Sequence, residues 1–398
     1  MTVQSQSDTR FDTARLIESA RQVVGGGSEF IPLHTPTIGG SAWTYVKECL
    51  DTGWVSSAGA YVTRFEEEAA TFTGAKRAVA VVNGTAALHT ALMLVGVEAG
   101  DEVIMPSLTF VATANATRYC GAVPHFVDIE TRSLGLDPAK LAAHLDRIAE
   151  RRGGGTVNRE TGQRIGAVVP MHTFGHPVDL DALVEVCDRW GLPMVEDAAE
   201  SLGSYYKGRH TGRFGRVGIL SFNGNKVITA GAGGALITDD EQLAERAKHI
   251  TTTAKRPHRW AYYHDVTGYN YRMPNLNAAL GCAQFEQLPG LLEAKRKLAD
   301  RYADAFADVP GVSILREPAY ARSNYWLNAL LLGEGQADRR DEVLDALCGA
   351  DLQVRPVWIP MHELPMYQQC PRMDLPVTES IARRVINLPS SADLAPSA

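Results

Sequence analysis

The chain is short of everything that staples or anchors a protein. Its six cysteines (Cys49, Cys120, Cys187, Cys282, Cys348 and Cys370) are scattered over 398 residues with no CxxC pair. That excludes a disulfide framework and a zinc ribbon, and reads as reduced thiols in a cytoplasmic protein. No apolar run reaches the roughly 18 residues that a membrane span requires. The opening stretch MTVQSQSDTRFDTARL lacks the apolar core of a signal peptide. Neither sign of charge dominates: 39 Lys and Arg face 46 Asp and Glu, a net charge of −7. That balance argues against nucleic-acid and membrane-surface partners. There is no internal repeat and no long low-complexity run. The glycine runs at 25–27 and 153–155 read as flexible joints.

What remains is an ordinary soluble-enzyme composition, 45% hydrophobic and 21% charged, long enough for two domains. The pattern predicts an arm at 1–30 with a helix from Phe11 to Val24, a large domain at 31–265 and a smaller α/β domain at 266–398. In the large domain, strands are expected at Ala78–Val82, Val103–Pro106, Val123–Val127, Ile165–Met171, Leu192–Glu196, Val217–Phe222 and Gly234–Thr238. Trp43, Val46 and Leu50 at helical spacing predict an amphipathic helix at about 40–50, and helices are expected between the strands, at Thr85–Val95, Thr109–Tyr119, Pro138–Ala149 and Leu180–Trp190. The polar stretch 150–164 reads as a loop or small hairpin. Apolar strands that do not alternate, joined by helices, imply an α/β fold with a largely parallel sheet covered on both faces. In the second domain, helices at Asn277–Gln287 and Pro289–Phe306 lead to strands at Val312–Leu315 and Trp326–Leu332, a helix at Arg339–Cys348 and a strand near Gln353–Pro356.

Ligands of such sheets gather at the carboxyl ends of the strands. Asn83-Gly84-Thr85, Pro106–Phe110, His172, Asp197 and Ser221 all fall there. Asn83-Gly84-Thr85-Ala86 opens a helix directly after a strand, which makes a phosphate site from free N–H groups and the helix dipole. Taken alone, Thr85 is as well explained as a helix cap. Lys226 ends the string Ser221-Phe222-Asn223-Gly224-Asn225-Lys226, 29 positions after Asp197. A lysine in a tight turn and an acid at a strand end are what pyridoxal phosphate chemistry needs. The lysine carries the cofactor as a Schiff base, and the acid keeps the pyridine nitrogen protonated. Phe110 taken alone reads as a core aromatic; within this set it is expected to lie on the cofactor ring. Glu200, one helical turn beyond Asp197, is placed to reach the phenolic oxygen or the substrate, and Ser221 and Asn223 complete the cofactor set. His172 and His176 are four apart, but Gly175 and Pro177 break any helix, so no metal is expected. The GAGG at 231–234 lacks the spacing of a dinucleotide fingerprint. The run Lys255-Arg256-Pro257-His258-Arg259-Trp260 is read equally as a solvated loop or as a contact for an anionic substrate such as a nucleotide diphosphate.

The strings NGTAAL, PSLTFVATANA, VEDAAESLGS, SFNGNK and GYNYRMPNLNAALG together resemble the DegT/DnrJ/EryC1/StrS sugar aminotransferases, over about Ile31 to Leu388. The resemblance implies the fold of the type I pyridoxal phosphate enzymes and a homodimer with shared active sites. It also implies L-glutamate as amino donor and a nucleotide sugar as acceptor. Position by position, it makes Lys226 the Schiff-base lysine, Asp197 the pyridinium partner and Phe110 the stacking aromatic. Gly84, Thr85, Ala86 and Ser221 then surround the phosphate, and Asn270 reaches it from the other subunit. Trp54, Val55 and Ser56, with Ser323, Asn324, Tyr325 and Trp326, match regions that line the sugar-nucleotide pocket. SFNGNK and VEDAAESLGS resemble the branch that aminates UDP-4-keto-6-deoxy-N-acetylhexosamines on routes to bacillosamine and legionaminic acid; GDP- or dTDP-linked keto sugars are the alternative. Some relatives carry histidine in place of the lysine and become dehydratases. This chain keeps Lys226 and is expected to transaminate. Two rivals stay open: a pyridoxal phosphate enzyme of another reaction type, and a non-catalytic regulator on the same fold.

Overall fold

A computed structural model describes residues 12–394, except 26 and 28. Seven strands build the main sheet. They are β1 (Arg77–Val81), β2 (Glu102–Pro106), β3 (Val123–Val127), β4 (Ile165–Val168), β5 (Val195–Asp197), β6 (Val217–Ser221) and β7 (Gly234–Thr238). Ladders join β3-β2-β4 and β1-β7-β6-β5. Isolated parallel bridges, Val168 with Met194 and Met171 with Asp197, link the two halves across β4 and β5. The order is therefore β3-β2-β4-β5-β6-β7-β1. All strands run one way except β7, which is antiparallel to both its neighbours. The strands are buried along nearly their whole length, as expected of a sheet covered on both faces. A reversed β7 brings Gly234 opposite both Val81 and Ser221. It thereby sets the start of one strand against the ends of two others.

The helices expected from periodicity are present: α1 (Thr13–Val24), α2 (Ala42–Thr52), then α4 (Gly84–Leu94), α5 (Val111–Tyr119), α6 (Pro138–Ile148) and α7 (Leu180–Trp190). Phe11, the expected first residue of α1, lies outside the described residues. The leucine and valine face of α1 (Leu16, Ala20, Val23) is buried with Leu298, Tyr302 and Leu347, so this part of the arm is packed. Two helices not anticipated, α3 (Ala60–Thr73) and α8 (Glu241–Thr251), also pack on the main sheet. Residues 149–152 and 155–158 form the small hairpin.

The two helices expected after residue 275 are one, α9 (Asn275–Phe306), which continues through Pro289. Proline removes one backbone hydrogen bond there. The flanking Leu288 and Leu291 are both buried in the core, and that packing outweighs the lost bond. A second sheet, all antiparallel, is made of β8 (Val312–Ile314), β9 (Asn328–Leu332), β10 (Arg355–Pro356) and β11 (Val385–Leu388), in the order β8-β9-β11-β10. The remaining helices are α10 (Arg340–Gly349) and α11 (Pro376–Ala382). Among the described residues no helix is long and apolar enough to cross a membrane.

Candidate active site

The carboxyl edge of the main sheet collects the expected residues. Asp197 ends β5, Ser221 ends β6, Asn83 and Gly84 follow β1, and Phe110 follows β2. Asn83 caps α4, its side-chain oxygen accepting from the Ala86 N–H at 2.8 Å. The first N–H groups of α4, those of Gly84 and Thr85, have no partner within the helix. The glycines set the tightness of this corner. A Cβ on Gly84 would stand 3.1 Å from Ser221 Cβ, and one on Gly234 would stand 2.4 Å from the Asn83 carbonyl carbon. Only glycine at 234 lets the Asn83-Gly84 turn lie on β7. The result is a concave backbone surface with free N–H groups and the Ser221 and Thr85 side chains beside it, suited to a phosphate.

Asp197 is 2% exposed. The Thr113 hydroxyl donates to its Oδ2 at 2.7 Å and the Ala199 N–H to its Oδ1 at 3.2 Å. Burial raises its pKa above the ordinary value, against these hydrogen bonds. Among the described residues no cation pairs with it. A buried carboxylate with lone pairs to spare and no cation is short of a positive N–H partner, which a pyridinium supplies.

Lys226 sits in the turn after β6, its N–H bonded to the Asn223 carbonyl at 3.0 Å. Its amine lies 3.3 Å from Glu200 Oε1 and 3.8 Å from the centre of the Trp326 ring. Glu200 also accepts from the Phe174 N–H at 3.0 Å. Burial pushes the Glu200 carboxyl up to about 7, with Lys226 opposing. Phe110 is 47% exposed, and its ring centre is 6.2 Å from that of Trp358.

The raised Glu200 makes stability depend on pH. A folded pKa of about 7 against an unfolded 4.5 means that the native state binds the extra proton between those values. Its contribution is therefore full below about pH 4.5 and lost as pH rises through 7. Glu200→Gln in the cofactor-free protein should match wild type near pH 4.5. Above pH 7 it should be more stable, by up to about 3 kcal/mol. Urea titrations at several pH values check this; equal slopes in the two proteins would refute it.

Not every expected residue joins the group. Ser323, Asn324 and Tyr325 are buried with their polar groups engaged inside the fold. Ser323 Oγ donates to the Gly175 carbonyl, and Asn324 Nδ2 to the carbonyls of Glu200 and Leu202. Within one chain the Asn324 amide holds the main chain of Glu200, and of this stretch Trp326 meets Lys226. Trp54, Val55 and Ser56 are exposed. Their loop is pinned to the start of α9 by the Asn275 amide, which donates to the Trp54 carbonyl at 2.7 Å. Asn223 is exposed and bonds Asn225. Asn270 is exposed, pairs through its backbone with Thr252 and makes no hydrogen bond to the Lys226 group among the described residues. His172 bonds Glu196 at 3.1 Å, and both ring nitrogens of His176 lack partners.

Three contributors had no legible signal in the sequence. Thr113 lies one turn into α5. Trp358 follows β10. Phe174 owes its role to a backbone φ of 56°, a strained value for an aromatic residue that aims its N–H at Glu200.

Comparison with known proteins decides the family. The profile of the DegT/DnrJ/EryC1/StrS aminotransferase family matches residues 36–398. The chain belongs to that family. It is 37% identical to a GDP-perosamine synthase of Caulobacter vibrioides, over 92% of this chain and 94% of that one. Among solved structures it resembles the aminotransferase TlmJ of Streptoalloteichus hindustanus (TM-score 0.82, 30% identity, 91% of this chain and 93% of that one). It also resembles DesI, determined in the presence of its TDP-sugar product (TM-score 0.79, 31% identity, 91% and 88%). The aminotransferase is thus a pyridoxal phosphate-dependent enzyme acting on nucleotide sugars, and the rival readings fall away. The family's cofactor suits the corner found here: a glycine-lined helix start, a cation-free buried carboxylate and a lysine held between an acid and an indole.

Proposed function

We propose that this aminotransferase moves the amino group of L-glutamate to C4 of a nucleotide-linked 4-keto-6-deoxy sugar, in the cytoplasm, with Lys226 as its acid and base. The placement of the Lys226 amine beside Glu200 and Trp326, on the same sheet edge as Asp197, carries the reading. Bound here, pyridoxal phosphate supplies the electron sink that makes the donor Cα proton acidic. Asp197 holds a proton on the ring nitrogen, the start of α4 and Ser221 bind the phosphate, and Phe110 covers one face. Lys226 Nζ takes the proton from Cα of L-glutamate and, in the second half of the cycle, delivers one to C4 of the sugar. Glu200 stays within reach of that amine in both halves.

We take residues 31–265 as the cofactor-holding unit and 266–398 as the smaller one, with Trp326 of the second reaching Lys226 of the first. The exposed Asn270, with no hydrogen bond to the Lys226 group of its own chain among the described residues, supports a homodimer in which it completes the partner's site. For the nucleotide, the name of the 37%-identical relative supports a GDP-linked sugar. The string SFNGNK supports the second reading, a UDP-linked N-acetylhexosamine of the bacillosamine and legionaminic acid type.

Absorbance of the purified holoenzyme tests both. L-Glutamate should bleach the visible band of the cofactor, and one of the GDP-, UDP- or dTDP-linked 4-keto-6-deoxy sugars should restore it, with an amine at C4 of the product. Return with the GDP sugar upholds the first reading, and return with the UDP N-acetyl sugar alone upholds the second. No return with any of them overturns the proposal.

A further inference from the structure

Lys295, in the middle of α9, is wholly buried. A buried ammonium ordinarily faces a carboxylate. Here the amine meets two main-chain carbonyls, that of Trp326 at 3.1 Å and that of Ser390 at 2.6 Å, and His34 Nε2 at 3.0 Å. Those three acceptors use all three of its donors. Burial lowers its pKa to about 7, and burial together with the charge of Lys295 holds His34 well below the usual imidazole range. His34 therefore accepts through Nε2 as a neutral ring.

The first of these contacts leads to the active site. Trp326 is fixed at three points. Its carbonyl accepts from Lys295, its N–H donates to Asn324 Oδ1 at 2.8 Å, and its indole N–H donates to the Asn225 carbonyl at 2.6 Å. Asn225 immediately precedes Lys226, whose amine stands 3.8 Å from the centre of the indole. The residue whose ring faces the amine is thus held at its indole N–H by the lysine turn and at its main-chain carbonyl by Lys295. An ammonium over an aromatic face is attracted by the ring quadrupole, and that attraction depends on the ring keeping its place.

We propose that Lys295 is a positioning residue for Lys226, acting through the main chain of Trp326 to hold the indole face against the Lys226 amine. The inference rests on the reading of Lys226 as the proton-transferring group. It differs from a simple tie between α9 and the small sheet, since a tie would affect stability without singling out Lys226.

The test reads Lys226 directly in cofactor-free, full-length protein, as its rate of reductive methylation followed by peptide mass spectrometry. Lys295→Met should free the indole and speed labelling of Lys226 by about two- to fivefold, the factor set by a contact of this kind at a partly exposed site. Lys140 and Lys248 should keep their rates. Trp326→Leu should give the same increase, and the double variant no more than either single one, because the two act along one path. In holoenzyme, the single-turnover rate with L-glutamate should fall by a similar factor at unchanged KM. Lys295→Gln is the second variant, since its shorter neutral amide cannot span both carbonyls; it should shift Lys226 in the same direction. An unchanged Lys226 rate in whichever Lys295 variant folds overturns the proposal, as do multiplying effects in the double variant. Because labelling needs neither cofactor nor substrate, its failure is separate from any failure of the transamination reading, which an active Lys226→Ala would signal.

Discussion

Lys226→Ala is expected to abolish turnover and to leave a folded protein. On the proposed reading, the substitution removes the amine that would carry protons to and from the reacting carbons, together with the covalent anchor of the cofactor. A positioned acid–base group is worth roughly 10²–10⁴ in rate, and loss of the anchor adds to that, so kcat should fall at least about 10⁴-fold. The fold should survive because of what Glu200 can do. Its carboxyl, already pushed up to about 7 by burial with Lys226 pulling the other way, takes up a proton when the lysine charge is gone, and no unpaired buried charge remains. A coupled assay with L-glutamate and the acceptor sugar, alongside a thermal melt, checks both halves. Near-wild-type turnover would remove Lys226 from the mechanism; collapse of the melt would show that the Lys226–Glu200 contact is structural.

Asp197→Asn is the second large effect, and it divides chemistry from packing more cleanly. The amide keeps the volume of the carboxylate but loses the charge that, on the proposed reading, would favour a protonated ring nitrogen. The expected drop in kcat is about 10²–10³-fold, the scale of losing a preorganised electrostatic partner. Stability without cofactor should change little. Ala199 can still donate to the amide oxygen, and the Thr113 hydroxyl can turn to accept from the amide while it stays 3.1 Å from Thr109 Oγ1. Removing a buried charge whose burial outweighs its hydrogen bonds and the pull of Lys226 even works in favour of the apo fold. Urea titration of the apo protein and kcat of the loaded enzyme check the two statements. A variant as active as wild type would show that the ring nitrogen needs no charge at this position.

The residues that gather on the sheet edge were legible for a simple reason. A parallel sheet puts its ligand site at strand ends, and apolar strands flanked by helices mark those ends in the sequence. Asp197, Ser221, Asn83 and Phe110 follow from that rule without knowledge of contacts. Lys226 follows from its turn. The residues that hold them were less visible. Thr113 reads as an ordinary helix residue until α5 brings it 2.7 Å from Asp197. Phe174 contributes a backbone N–H from a left-handed conformation that no side-chain pattern announces. Residues 323–325 matched a pocket-lining region by resemblance, yet burial turns their polar groups inward. Pro289 looked like a helix boundary because the local rule counts one hydrogen bond, and cannot count the core that Leu288 and Leu291 enter.

By itself the sequence determined the alternation of strands and helices, the sheet edge on which the site forms and the residue types that fix its chemistry. These depend on short-range periodicity, turn chemistry and spacing, which are written locally. Only the tertiary structure decided that β7 runs against its neighbours, that Gly234 makes room for the Asn83-Gly84 turn, and that Trp326 comes across from the second sheet to face Lys226 with Lys295 behind it. Those contacts join segments far apart in the chain, and their geometry is set by packing, which no local pattern records.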